Sequence, residues 1–137
     1  MNYKFTFFFA LLFQFTFAQI DLPIESRLNQ LDSIEFVSIE SYDSAYQTYK
    51  ISIEQPIDHL HPEKGSFRQK IYLSHFDLNQ PTVLVTEGYQ ARRNYLSEPA
   101  KLLGANQLIV EHRYFGESVP DSLDWTLMNT FQAASDH

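Results

Sequence analysis

The chain has 137 residues, no cysteine and a formal net charge of −7. That length bounds it to one small domain. Absence of cysteine excludes a disulfide scaffold, and the acidic balance excludes nucleic acid as a partner, since nothing here would release phosphate counterions in bulk.

Met1-Asn-Tyr-Lys4 is a short positive start, Phe5 to Phe17 is almost wholly apolar, and Thr16-Phe17-Ala18 places small residues where a signal peptidase inspects the chain. This pattern predicts a secretory signal peptide over residues 1–18, cleaved between Ala18 and Gln19. A run interrupted by Gln14 falls short of the roughly 20 apolar residues a membrane-spanning helix needs. The expected product is therefore secreted, periplasmic or extracellular, and free of the membrane after cleavage.

Residues 19–45 read as an N-terminal extension. Ile24, Leu28 and Leu31 have helical spacing after Pro23, with Asp21 as a cap, and Ile34 to Glu40 has strand composition before Ser41 to Ala45 breaks it. From Thr48 to Glu54 the alternation is clean, with Tyr49, Ile51 and Ile53 on one face. Ser66 to Ser74 answers it with Phe67, Ile71 and Leu73. Period-two patterning on both sides of a loop predicts an antiparallel, half-buried pair.

The connecting loop, Gln55 to Gly65, contains His59, His61 and Glu63. These are zinc-ligand types, but no third close ligand or helical register supports a metal site. The loop is read as solvated, with Asp58 and His59 bonded to its own backbone, and no metal is expected.

Thr82-Val-Leu-Val-Thr86 and Leu108-Ile-Val110 are short apolar runs typical of strands buried on both faces. Between them, Tyr95, Leu96, Pro99, Leu102 and Leu103 follow one helical face, closed by Gly104. Pro99 fits near the helix start or splits the segment. Residues 82–110 thus predict a right-handed βαβ crossover whose strand ends open to the same side. Polar and aromatic residues crowd both ends, in Glu87-Gly88-Tyr89 and Glu111-His-Arg-Tyr-Phe-Gly-Glu-Ser118. Open α/β sheets bind ligands there. Further on, Trp125 is expected to anchor a loop against the core, and Asn129-Thr-Phe-Gln132 has capping-box spacing for a helix.

Several motifs now agree with one family. Gln55-Pro-Ile-Asp-His59, Pro81-Thr-Val-Leu-Val-Thr-Glu-Gly-Tyr89, Ala105-Asn-Gln-Leu-Ile-Val-Glu-His-Arg-Tyr-Phe-Gly116, Asp124-Trp125 and Gln132-Ala-Ala-Ser-Asp-His137 resemble the prolyl tri- and tetrapeptidyl aminopeptidases. These are secreted bacterial serine exopeptidases with an α/β-hydrolase core, and the likeness covers roughly residues 48–137. It implies a peptide substrate, an acyl-enzyme route and no cofactor. It also implies that Gly88 and Tyr89 lie in the loop supplying one oxyanion-hole donor.

An aminopeptidase needs carboxylates for the substrate's ammonium group, and Glu87 and Glu111 stand at adjacent strand ends. The plainer reading, which the residues favour, makes both structural, bonded to Arg113 or to loop N–H groups. Arg113 is expected to tie its loop to neighbouring segments, with Tyr114 and Phe115 packing. No G-x-S-x-G-like turn occurs in the sequence, and His59, His75 and His112 come too early for the family's catalytic histidine. Residues 46–137 are therefore expected to be the amino-terminal portion of an α/β-hydrolase domain, truncated and inactive alone. An unpaired sheet edge and an uncovered face would then give aggregation or a monomer of poor cooperativity. A secreted esterase of the same fold and a non-catalytic peptide-binding module are the competing readings.

Overall fold

The computed structural model describes residues 22–137. The expected signal segment, its Ala18/Gln19 cleavage point and Asp21 lie outside those residues. Five strands form one mixed sheet, in the order β1-β2-β3-β5-β4. They are β1 (Ile34–Ile39), β2 (Gln47–Pro56), β3 (Ser66–His75), β4 (Thr82–Thr86) and β5 (Asn106–Val110). Among the described residues three short α-helices accompany them: α1 (Ile24–Leu28), α2 (Glu98–Leu103) and α3 (Thr130–Ser135).

Hydrophobic alternation sets the register. Ile51 sits opposite Phe36 on one side and Ile71 on the other, and Ile71 opposite Val110. Tyr49, Leu73 and Leu108 form the next row. This face, with Leu28 from α1 laid over it, is the main core. Period two forces the intervening residues to the other side, where Tyr72, Ile109 and Ala91 form a second, smaller cluster with Ile39 and Val85.

The antiparallel pair and the strand–helix–strand unit are both present, and β4 runs parallel to β5 with Thr86 beside Val110. An α/β sheet with few helices is thus the observed architecture.

Four details differ from expectation. β3 is not half-buried: every residue from Gln69 to Ser74 is buried, because the loops after β4 and β5 cover its second face. β4, expected to be buried on both faces, is an edge strand with β5 as its one partner among the described residues, and Leu84 is 47% exposed. The helix of the crossover starts only at Glu98. Ser97 caps it and Pro99 falls in its first turn, where a missing N–H costs nothing. Tyr95 and Leu96 therefore lie outside it, and fully buried Ala100, rather than exposed Leu102 and Leu103, faces inward. Gly104 does close it, in the left-handed conformation at φ 54°. Trp125 is 63% exposed, so it is not sunk in the core; its ring leans on buried Tyr114 at 5.5 Å.

Candidate active site

Parallel pairing brings the carboxyl ends of β4 and β5 side by side. The Glu87 N–H extends the ladder by donating to the Val110 carbonyl at 3.0 Å, so Glu87 and Glu111 begin adjacent loops.

The first loop leaves its backbone open. Gly88 lies outside the left-handed region, and a Cβ built there would have no atom within 4 Å. No acceptor among the described residues takes the N–H of Gly88 or Tyr89. The Tyr89 carbonyl accepts from the His112 N–H at 3.2 Å, and its exposed ring meets Phe115 edge-on at 5.2 Å. Phe115 in turn stands edge-on to the His112 ring at 5.6 Å. His112 Nδ1 lies 2.7 Å from the Arg113 carbonyl. A carbonyl only accepts, which assigns a proton to Nδ1. Glu87 is partly exposed and accepts from the Tyr95 hydroxyl at 3.2 Å. Burial and the Glu87 charge both push the Tyr95 pKa up.

Glu111 has the opposite environment. It is fully buried, and its Oε1 accepts from the Ala91 N–H at 3.0 Å and faces Lys70 Nζ at 2.8 Å. Oε2 accepts from the Glu117 N–H at 2.9 Å and the Ser118 hydroxyl at 2.8 Å. Burial opposes the charge of Lys70, yet the Glu111 and Glu117 carboxylates outweigh it and hold the Lys70 pKa above its ordinary value. One carboxylate thereby joins both loops to β3. A close turn makes this reachable: Gly116 adopts φ 56°, and any Cβ there would collide with the Glu111 carboxylate. Tyr114, at φ 70°, takes the left-handed conformation without being glycine. Ser118 is fully buried, with its hydroxyl on Glu111 and on the Lys70 N–H.

The longer loop between β4 and α2 is held by strand side chains. Asn94 donates to Ser74 at 3.0 Å, the Ser97 N–H donates to Gln107 Oε1 at 2.9 Å, and Gln107 Nε2 donates to the Tyr95 carbonyl. Buried polar side chains of central strands (Ser74, Gln107) and Glu111, just past the end of β5, all serve this loop. Satisfied pairs of this kind fix a unique geometry.

Arg113 does not bond to either candidate glutamate. It is fully buried and grips Asp136 through Nε at 2.8 Å and Nη2 at 2.6 Å. It also donates to the carbonyls of Ile57 at 2.9 Å and Pro56 at 3.2 Å. The fork-shaped pairing is the strong form of the guanidinium–carboxylate contact. His59 Nε2 lies 2.7 Å from Asp136 Oδ1, so its ring serves α3 rather than its own loop. Asp58 does bond locally, accepting from the Leu60 N–H at 3.0 Å, and also from Gln132 Nε2 at 2.8 Å. Asn129 caps α3 by accepting from the Gln132 N–H. Gln132 does not return the capping-box bond; its Oε1 accepts from the His59 N–H at 2.8 Å.

The motifs Gln55-Pro-Ile-Asp-His59 and Gln132-Ala-Ala-Ser-Asp-His137 therefore meet in space, with Arg113 between them. Sequence reasoning quoted both stretches but missed their contact; the signal was a carboxylate, an amide and a lone arginine with no local partner. His59, His61 and Glu63 do not converge: His61 sits 3.4 Å from Glu63, while His59 turns to Asp136. Among the described residues no three metal-ligating side chains cluster. No helix among them is long and apolar enough to cross a membrane.

The profile of one peptidase family, described as PS-10 peptidase S37, matches residues 19–137. The chain is 37% identical over 114 residues to a prolyl tri/tetrapeptidyl aminopeptidase of Streptomyces mobaraensis, a match covering 82% of this chain and 24% of that protein. It is also 37% identical over 78 residues to the serine protease vicPb of Bipolaris victoriae (strain FI3), covering 48% of this chain and 15% of that one. The chain thus spans about a quarter or less of the length of these curated relatives. With the family profile extending from Gln19 to His137, the chain belongs to the PS-10 peptidase S37 family.

Proposed function

We propose that this polypeptide is exported by its first 18 residues and forms the amino-terminal part of a serine aminopeptidase. The enzyme releases tri- or tetrapeptides from substrate N-termini, on a sheet of α/β-hydrolase type. One observation carries this reading: the backbone N–H groups of Gly88 and Tyr89 stand unspent and open to solvent at the carboxyl end of a strand parallel to its neighbour.

Donors fixed before the reaction stabilise the charge that develops in a tetrahedral intermediate, and removing one typically costs about 3 kcal/mol of barrier. Glu87, partly exposed beside them, is the carboxylate assigned to the substrate ammonium group. Glu111 has all its acceptor positions engaged by the chain itself, so it acts in this scheme by holding the loops in place. Residues 19–137 contain no serine on a strand-to-helix turn between glycines. These residues alone are accordingly assigned no hydrolytic activity.

The test is to assay the product of the complete reading frame on proline-containing tripeptide amides and on short acyl esters, beside residues 19–137 alone. Hydrolysis of the amides by the complete product and none by the short chain is expected. Turnover of esters only, or amide turnover by the short chain, would overturn the reading.

A further inference from the structure

Five of the cations among the described residues are already neutralised by carboxylates. Lys50 pairs with Glu117, Lys64 with Asp58, Arg68 with Glu35, Lys70 with Glu111 and Arg113 with Asp136. Arg92, Arg93 and Lys101 make no ion pair among the described residues, and all three fall within ten positions of one another. In a chain of net charge −7, a local excess of free cations runs against the overall field.

Arg93 and Lys101 face one cleft of about 350 Å³, walled by Tyr42, Asn94, Tyr95 and Leu96. One carboxylate, Asp43, also lines it, and its Oδ1 is engaged by the Ala45 N–H at 2.9 Å. The frame is rigid. Glu111 holds the Ala91 N–H, Ser74 holds Asn94, and Gln107 holds both the Tyr95 carbonyl and the Ser97 N–H. The segment presenting the cations is thus bolted to the sheet on both sides of Arg93. Such anchoring lowers the ordering cost that a flexible basic loop would incur on binding. The same segment begins at Gly88 and Tyr89, and Tyr95, which lines the cleft, donates its hydroxyl to Glu87.

We propose that the Arg93–Lys101 cleft is a binding subsite for the carboxylate side chains of an acidic peptide. Guanidinium and ammonium donors supply charge-assisted hydrogen bonds to the carboxylate, and the tyrosine rings cover its aliphatic stem. The choice of a peptide as carrier rests on the peptidase reading above; the carboxylate chemistry rests on the cleft alone.

The experiment is an NMR titration of the isotopically labelled full chain with an acetylated tri-glutamate amide and its tri-glutamine counterpart. Amide shifts confined to Tyr42 and residues 91–101, produced by the acidic peptide only, are expected. Arg93→Gln combined with Lys101→Gln should weaken that binding by about tenfold or more, whereas Arg68→Gln, which removes a cation elsewhere, should leave it unchanged. Equal binding of the two peptides, shifts mapping to another face, or undiminished binding by the double variant would overturn the proposal. None of these readouts requires hydrolysis. A failure of the peptidase assay therefore leaves the binding result standing, and the reverse also holds.

Discussion

Lys70 Nζ lies 2.8 Å from Glu111 Oε1, and both side chains are at most 5% exposed. A buried ion pair contributes little net stability over a well-packed apolar pair, but removing one member strands the other. Glu111→Gln or Lys70→Met alone is expected to cost about 3–5 kcal/mol in urea denaturation. The double variant should be less destabilised than the two losses added together, giving a coupling term in the thermodynamic cycle.

Gly116 and Gly104 share a left-handed backbone but not a neighbourhood. At Gly104 (φ 54°) an added Cβ meets only a phenylalanine edge at ordinary distance, so Gly104→Ala should cost about 1–2 kcal/mol. At Gly116 (φ 56°) it would strike the Glu111 carboxylate and Gln90. Gly116→Ala is expected to cost at least about 3 kcal/mol. Equal melting temperatures for the two variants would refute the collision argument.

Acid sensitivity should trace in part to Asp58. The Lys64 ammonium at 2.8 Å, with Gln132 and the Leu60 N–H, overcomes burial and holds the Asp58 carboxyl far below the usual carboxylate range. A carboxylate whose pKa is depressed by folding stabilises the protein above its unfolded value, about 3.9. That contribution is lost as pH falls below this value towards the folded one. Urea midpoints should therefore drop between neutral pH and pH ~2.5, and Asp58→Asn should flatten that drop.

Thr48 Oγ1 is a buried hydroxyl with no hydrogen-bond partner among the described residues. Thr48→Val replaces it by a methyl group of similar shape. Stability should hold or rise by about 1 kcal/mol, since an unsatisfied polar atom is removed. A loss above that size would mean the hydroxyl has a partner.

Gly88 separates local structure from chemistry. Nothing crowds it, so Gly88→Ala should leave the thermal midpoint nearly unchanged. Tyr89→Pro removes one of the two open N–H groups. In the product of the complete reading frame it is expected to lower kcat about 10²–10³-fold with KM little altered. A fall in KM-governed binding alone would count against the oxyanion role.

Strand positions were legible because their patterning repeats over long, uninterrupted stretches. Tyr49, Ile51 and Ile53 in β2 and the Leu108-Ile-Val110 run in β5 needed no knowledge of their partners. The edge position of β4 was not legible, since Thr82-Val-Leu-Val-Thr86 has the same composition whether or not a neighbour covers it. Tyr95 and Leu102 misled for a related reason: helical spacing continued through Pro99, but the cap at Ser97 started the turn later. The fate of Glu87 and Glu111 was hidden more deeply. They occupy matching positions at adjacent strand ends, and the difference between them comes from Lys70 on a third strand and from the turn at Gly116.

The clasp of Arg113 on Asp136 also sets a timetable. The two residues are 23 positions apart, and at a synthesis rate of about 5–20 residues per second the guanidinium emerges roughly one to five seconds ahead of its carboxylate. Among the described residues its other acceptors there are the carbonyls of Pro56, Ile57 and Leu127, so until then water must satisfy the charge. Closing this corner of the sheet therefore waits on the α3 turn that ends at Asp136.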